Sequence, residues 1–302
     1  MNEKFAQLAL ALKAACPELE VRENEPMERH ISFRLGGPAA LMALPKSVEE
    51  AAAAVKVAAE LGIAPFFLGN GSNLLIPDEG VERFLIKTVP GLNFCRVEDT
   101  VITAGCGATL ARVAVTAREH GLTGLEFAHG IPGSLGGAVF MNAGAYGGEM
   151  AQVVTEVTCL NRKGEVETVT EFGFGYRTSV FADGQRMVLS AKMQLQHGDP
   201  AAIAARMEEL AAQRQSKQPL EYPSAGSMFK RPVGYFAGAL IEQAGLKGFA
   251  VGGAQVSEKH AGFVINRGGA TCADVLELVR QVQEKVRAGT GVELEMEVKI
   301  LR

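Results

Sequence analysis

The chain has 302 residues, 47% of them hydrophobic, and a formal net charge of −4. That length and apolar content suffice for a sizeable core and for two or three domains. The acidic balance excludes a general nucleic-acid or membrane-surface binder, which needs a net basic footprint, and no apolar run reaches the ~20 residues of a membrane span.

Phe5, Leu8, Leu12 and Ala15 recur at helical spacing and predict an amphipathic N-terminal helix rather than a signal peptide. Ser47, three residues ahead of Glu50, is a capping-box pattern for a helix over Val48 to Leu61, which Gly62 ends. The apolar run Ile63 to Leu68 predicts a strand entering the loop Gly69-Asn70-Gly71-Ser72-Asn73. Val101 to Ala104 repeats the pattern, passing through Gly105-Cys106-Gly107 into a helix from Leu110 to His120. Leu135 to Met141 reads as a short helix. Val153 to Leu160 and Val166 to Val169, joined by Asn161-Arg162-Lys163-Gly164, read as a hairpin, and Val188 to Gln196 as a further strand. Asp199 and Pro200 take the cap and first position of a helix to about Arg214. A loop at 215–235 then precedes a helix from Phe236 to Ala244, a strand at Phe263 to Ile265 and a helix from Thr271 to about Arg287. A last strand, Val292 to Ile300, puts Glu295 and Glu297 on one face. The five cysteines are odd in number and lack a Cys-x-x-Cys pair, so neither a disulfide framework nor a metal site is expected, and the cytoplasm is the expected location.

The stretch 122–147 carries the strongest chemical signal. Gly130, Gly133, Gly136, Gly137, Gly144 and Gly147 cluster there, at an entropic cost that is justified where backbone approaches a ligand or takes positive φ. The turn Gly130-Ile131-Pro132-Gly133-Ser134 leads into the short helix, whose first free amides are expected to form an anion site for a phosphate-bearing cofactor. The Gly69 to Asn73 loop, read alone, is equally an ordinary turn or an anion nest, and it matches neither a Walker A loop nor a Rossmann fingerprint. Ser227, in Ser224-Ala225-Gly226-Ser227, lacks the nucleophile elbow of a hydrolase and reads alone as a turn residue. Arg177 reads alone as a surface salt-bridge partner.

Taken together, these segments resemble the MurB family, the flavin-dependent UDP-N-acetylenolpyruvoylglucosamine reductases of bacterial peptidoglycan synthesis. The resemblance runs from His30 to Val298 through Ser32-Phe33-Arg34-Leu35-Gly36-Gly37-Pro38-Ala39, Gly69 to Leu74, 122–147, Tyr176 to Phe181, Lys217 to Lys230, Gly253 to Asn266 and Leu294-Glu295-Met296-Glu297-Val298. It implies an α+β chain: an FAD-binding fold of the vanillyl-alcohol-oxidase type in two subdomains, 1–90 and 91–205, and a C-terminal α+β substrate domain, 206–302, whose last strand can return to the FAD-binding region. It implies FAD and NADPH as cofactors, with FAD contacts on Arg34, Gly69, Asn70, Gly71, Ser72, Asn73, Gly130, Pro132, Gly133, Ser134, Gly137, Asn142 and Gly144. Arg177, Ser227 and Glu297 take the catalytic positions. Tyr176, Lys217, Gly226, Lys230, Lys259 and Asn266 fall to the substrate, UDP-N-acetylglucosamine enolpyruvate. The protein is expected to be a monomer or weak oligomer without nucleic-acid or membrane partners. The short interval between Arg177 and Lys217 implies the subtype without an extra tyrosine loop. Met296 departs from the family's proline between the two glutamates, and Ile31 from its threonine. Two alternatives stand beside this reading: an FAD-dependent oxidase of a small alcohol on the same fold, and a catalytically inactive flavin-binding regulator.

Overall fold

In the computed structural model, which describes residues 2–302, local signals act where they stand in the chain. Helix α1, Glu3–Ala15, starts at Asn2, whose Oδ1 accepts the Lys4 N–H at 3.2 Å, and buries Phe5, Leu8 and Leu12 on one face. Helix α2, Val48–Glu60, starts at Ser47, whose Oγ accepts the Glu50 N–H at 3.2 Å. The reciprocal half of the expected capping box is displaced by one residue, because the Glu50 carboxylate accepts the Lys46 N–H at 2.7 Å.

The chain folds as two compact units that interleave along the sequence. The first comprises the N-terminal residues to Asn24, then Ala40–Asn70 and Arg83–Gln213; the second comprises Glu25–Ala39, Gly71–Glu82 and Arg214–Arg302. The three segments expected from the sequence are contiguous, whereas these units are not.

Helices α1 and α2 belong to the first unit, and a four-stranded sheet runs in the order Glu20–Pro26, Pro38–Leu44, Val81–Lys87, Phe66–Leu68; the last two run parallel, with Leu68 opposite Lys87. A five-stranded antiparallel sheet follows in the order Val166–Val169, Val154–Leu160, Met187–Gln194, Val101–Gly105, Cys95–Glu98. The expected hairpin closes it, with Leu160 opposite Val166 and Asn161 Oδ1 accepting the N–H groups of Lys163 and Glu165. Helix α3, Leu110–Glu119, is capped by Thr109, and α4, Leu135–Met141, packs on Met187–Gln194. Ile102, Ala104, Val113, Leu135, Val157 and Phe181 are fully buried in the shared core, each large side chain contributing about 1.5–3 kcal/mol by leaving water. Helix α5, Pro200–Lys217, is capped by both carboxylate oxygens of Asp199 and runs one turn beyond its expected end.

The second unit holds a four-stranded antiparallel sheet in the order Ser224–Ser227, Phe263–Asn266, Ala254–Val256, Ala250–Val251. Part of the segment expected as loop is thus a strand. Helix α6, Ala237–Gln243, precedes α7, Cys272–Thr290, which has a full capping box between Thr271 and Asp274 and ends at Gly291, φ +73°. The carboxylate of Asp78 adds a second cap to α7, accepting the N–H groups of Cys272 and Ala273 at 2.7 and 3.0 Å.

The expected last strand is corrected. Only Lys299–Ile300 is regular strand, parallel to Leu74–Leu75. Buried Leu294 and Val298 alternate with exposed neighbours, which mimics a strand, but the segment 292–298 meets its neighbour at a single bridge, Phe229 opposite Met296.

Candidate active site

In the first unit, Thr88 pins the end of strand Phe66–Leu68 by donating its N–H and Oγ–H to the Leu68 carbonyl at 2.9 and 3.3 Å. Gly69 follows. A Cβ at Gly69 would lie 2.2 Å from Ser134 Oγ, so only glycine brings this backbone against that hydroxyl. Ser134 is 1% exposed and its Oγ has no hydrogen-bond partner. A buried hydroxyl in that state costs about 1–3 kcal/mol, which an arriving acceptor or donor recovers. Asn70 Nδ2 donates to the Pro132 carbonyl at 2.7 Å, tying the two glycine-rich segments together. Gly133 accepts the Leu110 N–H at 3.0 Å. Gly130 is half-buried on the turn leading in. An orphan hydroxyl facing a side-chain-free backbone fits a phosphate-bearing cofactor such as FAD.

The expected anion site at the start of α4 is narrower than its free amides suggested. Leu135 and Gly136 already donate to the carbonyls of Ala108 and Cys106, at 2.8 and 2.9 Å, leaving Gly137 as the first-turn amide for a ligand. Gly136 is there for packing, since its Cβ would meet Cys106 Cβ at 2.9 Å. Burial pushes the Cys106 thiol up to about 12.

Arg177 stands in a tight turn, Gly175 bridged to Thr178, with φ +57°, a left-handed conformation that costs a non-glycine residue about 1–2 kcal/mol. Its guanidinium donates to the Gly144 carbonyl at 3.3 Å and lies 5.2 Å from the ring centre of exposed Tyr176. Buried Asn142, φ +43°, holds this turn from behind: Nδ2 donates to the Gly175 carbonyl at 3.1 Å and Oδ1 accepts the Ala151 N–H at 2.9 Å. Asn142, expected among the cofactor contacts, thus commits its side chain to the arginine turn.

In the second unit, Gly71, φ +61°, lies under the 30–32 backbone; a Cβ there would sit 2.5 Å from the His30 carbonyl, and its own carbonyl accepts the Ser32 N–H at 3.2 Å. Ser72 is half-buried beside it. Asn73 Nδ2 donates to the Glu297 carbonyl at 3.2 Å. Exposed Ser227 ends its strand after Gly226, φ +79°, opposite Phe263. The next residue, Met228, accepts the Glu297 N–H at 2.9 Å, which brings half-buried Glu297 onto the segment adjoining Ser227. Ser227 and Glu297 therefore share the second unit, while Arg177 belongs to the first.

Of the cations expected to hold phosphates, Lys217 ends α5 exposed and makes no hydrogen bond or ion pair with the described residues. Lys230 pairs with Glu295, and Lys259 donates to the Gln215 carbonyl at 2.7 Å and lies 3.9 Å from Glu221. Arg34 is exposed with φ +53°. Asn266 is 7% exposed and directs its side chain inward.

Sequence reasoning missed a buried pair behind Gly71: His30 Nε2 and Glu25 Oε1 lie 2.7 Å apart with side chains 8% and 11% exposed. Two ionisable residues flanking buried Met27 were the available signal. A cavity of about 530 Å³ between Pro77–Glu82 and the start of α7 contains none of the expected site residues.

The model for the FAD binding domain matches residues 39–170, and that for the UDP-N-acetylenolpyruvoylglucosamine reductase C-terminal domain matches 218–301. Reductases of this name from Pediococcus pentosaceus and Limosilactobacillus fermentum are 50% and 48% identical, over 95% and 94% of this chain and 96% and 95% of theirs. The crystal structure of the Thermus caldophilus enzyme, MurB, superposes with a TM-score of 0.80 at 35% identity, over 94% of this chain and 99% of that one. The flavin-binding fold and C-terminal domain expected from the sequence are both present, and the chain belongs to the UDP-N-acetylenolpyruvoylglucosamine reductase family, FAD-dependent oxidoreductases of peptidoglycan precursor synthesis.

Proposed function

We propose that the protein reduces the enolpyruvyl group of UDP-N-acetylglucosamine enolpyruvate to give UDP-N-acetylmuramate, with electrons from NADPH. Bound FAD would supply the redox chemistry, relaying a hydride from NADPH to the methylene carbon of the enolpyruvyl group. Within the first unit, Gly69, Asn70, Gly133, Ser134 and Gly137 would hold the cofactor. Hydride addition leaves negative charge on the neighbouring carbon, spread into the carboxylate. Arg177 pairs with that carboxylate and Glu297 adds to the stabilisation of the developing charge; a preorganised donor such as Arg177 is worth ~10²–10³ in rate. The Ser227 hydroxyl delivers the proton that completes the reduced carbon. Lys217, which makes no hydrogen bond or ion pair with the described residues, takes the substrate diphosphate.

The observation that supports this reading is the bond from the Glu297 N–H to the Met228 carbonyl at 2.9 Å, which brings Glu297 onto the segment adjoining Ser227. We place the enzyme in the cytoplasm as a monomer or weak oligomer; no described helix is long and apolar enough to cross a membrane. Anaerobic titration of the flavin-loaded protein tests the reading. NADPH is expected to bleach the flavin absorbance and the enolpyruvyl substrate to restore it. Recovery only with oxygen would favour the oxidase of a small alcohol, and a flavin untouched by either addition the inactive regulator.

A further inference from the structure

Asn266, expected at the substrate, has no side-chain group left for one. Its Nδ2 donates to the carbonyls of Phe33 and Arg34 at 3.2 and 3.3 Å. Its Oδ1 accepts the N–H groups of Gly268 and Ala270 at 2.9 and 3.2 Å, and its own N–H goes to the Pro223 carbonyl at 2.9 Å. An amide offers two donor hydrogens and two acceptor lone pairs, and all four are used.

What this knot holds is Arg34, whose backbone sits in the left-handed region at φ +53°. Arginine persists there only where the surroundings over-determine it. They do so on both flanks. Ser32 Oγ donates to the Ser224 carbonyl at 2.6 Å and Ser32 N–H to the carbonyl of Gly71; on the other side Gly36, φ +99°, lies so close to Ile76 that a Cβ would come within 2.5 Å of its Cβ. The guanidinium, in contrast, is exposed and makes no hydrogen bond or ion pair with the described residues. A clamped backbone thus presents an uncommitted planar fork two residues from Ser32, whose N–H donates to the Gly71 carbonyl. Such a fork matches paired phosphate oxygens better than any other side chain.

We propose that Asn266 is a positioning residue: it holds the Phe33–Arg34 turn so that the Arg34 guanidinium pairs with a diphosphate. The proposal rests on the function argued above, because FAD, NADPH and the UDP-sugar substrate each carry that group, and three separate measurements tell the sources apart.

The experiment uses the full-length chain and measures the FAD dissociation constant by flavin fluorescence, the KM for NADPH in anaerobic flavin reduction, the KM for the UDP-sugar in flavin reoxidation, and apoprotein Tm. Arg34→Ala is expected to raise one of the three constants ~10-fold or more, as loss of a charge-assisted contact does. Asn266→Asp keeps both acceptor bonds and loses both donors; it is expected to raise the same constant by a similar factor, and the double variant to add little to either. Arg34→Gly relieves the left-handed backbone while deleting the fork. It is expected to raise that constant as much as Arg34→Ala does while its Tm is equal or higher, and it decides the matter even where Asn266→Asp does not fold. Three unchanged constants in Arg34→Ala and Arg34→Gly, or additive effects in the double variant, overturn the proposal. Failure of the unaltered protein to bind FAD at all would instead overturn the functional reading beneath it.

Discussion

Asn73 and Glu297 are joined by a side-chain to backbone bond, Asn73 Nδ2 to the Glu297 carbonyl at 3.2 Å, and the Lys299 N–H returns to the Asn73 carbonyl at 3.1 Å. The last residue of the glycine-rich loop is therefore tied at two points to the segment that carries Glu297, the acid proposed for the reaction. Asn73→Ala removes the side-chain bond and leaves the backbone one. A neutral hydrogen bond is worth about 0.5–1.5 kcal/mol, so flavin reoxidation by the enolpyruvyl substrate is expected to slow ~2- to 10-fold, and flavin reduction by NADPH to slow less. Stopped-flow rates of the two half-reactions check this; equal slowing of both would detach Asn73 from Glu297.

Ser227 is exposed at the end of its strand, next to the residue that anchors Glu297. Ser227→Ala deletes one oxygen on an open face and is expected to leave Tm unchanged. If this hydroxyl supplies the proton, flavin reduction by NADPH proceeds normally and reoxidation by substrate falls ~10²–10⁴-fold, the usual cost of losing a general acid. Single-turnover absorbance of the flavin separates the two steps. Comparable loss in both would assign Ser227 to binding instead.

Gly69 and Ser134 form a matched pair in which one residue lacks a side chain so that the other can keep a buried hydroxyl. In Gly69→Ala the new methyl, 2.2 Å from Ser134 Oγ, forces that hydroxyl to rotate away. FAD affinity is expected to fall ~10-fold or more, since the lost contact and the methyl act together. Ser134→Ala alone removes the clash partner and one contact, at a cost of ~2- to 10-fold. The double variant is expected to bind FAD more tightly than Gly69→Ala. Isothermal titration of the apoproteins is the measurement, and a double variant no better than Gly69→Ala would mean the clash is not what matters.

How much of this was legible in the sequence depends on range. The caps at Ser47 and Asp199 and the turn at Asn161–Gly164 act within a few residues and form where the sequence predicts them, with the Glu50 half of the box shifted to the Lys46 N–H. The strand expected over Val292 to Ile300 failed because alternating burial of Leu294 and Val298 arises here from packing without a ladder. The amides of Leu135 and Gly136 were read as free because their acceptors, the carbonyls of Ala108 and Cys106, lie some thirty positions earlier and leave no local trace. Asn266 shows the same limit: its acceptors are the carbonyls of residues 33 and 34, and an asparagine near a glycine pair reads equally as a ligand contact or a structural knot. The joining of 25–39 and 71–82 to the C-terminal residues is likewise a long-range fact that no spacing encodes.

Lys87, opposite Leu68 at the strand end that leads to Gly69, is 9% exposed, and its amine makes no hydrogen bond or ion pair with the described residues. Burial, with repulsion from Arg22 adding to it, pushes the amine down from 10.5 to about 8. A lysine with a lowered folded-state pKa binds fewer protons folded than unfolded between those two values. Stability contributed by this group therefore rises with pH through the window from about 8 to 10.5, and its burial penalty is fully present below pH 8. That difference corresponds to a penalty on the order of 3 kcal/mol at pH 7. Lys87→Met keeps the volume and removes the charge, so it is expected to stabilise the protein at pH 7 and to lose that advantage as pH approaches 10.5. Urea unfolding of both proteins at pH 7, 9 and 10.5 checks the sign. A stability gap that stays constant or widens with pH would show that the amine is not buried in its charged form.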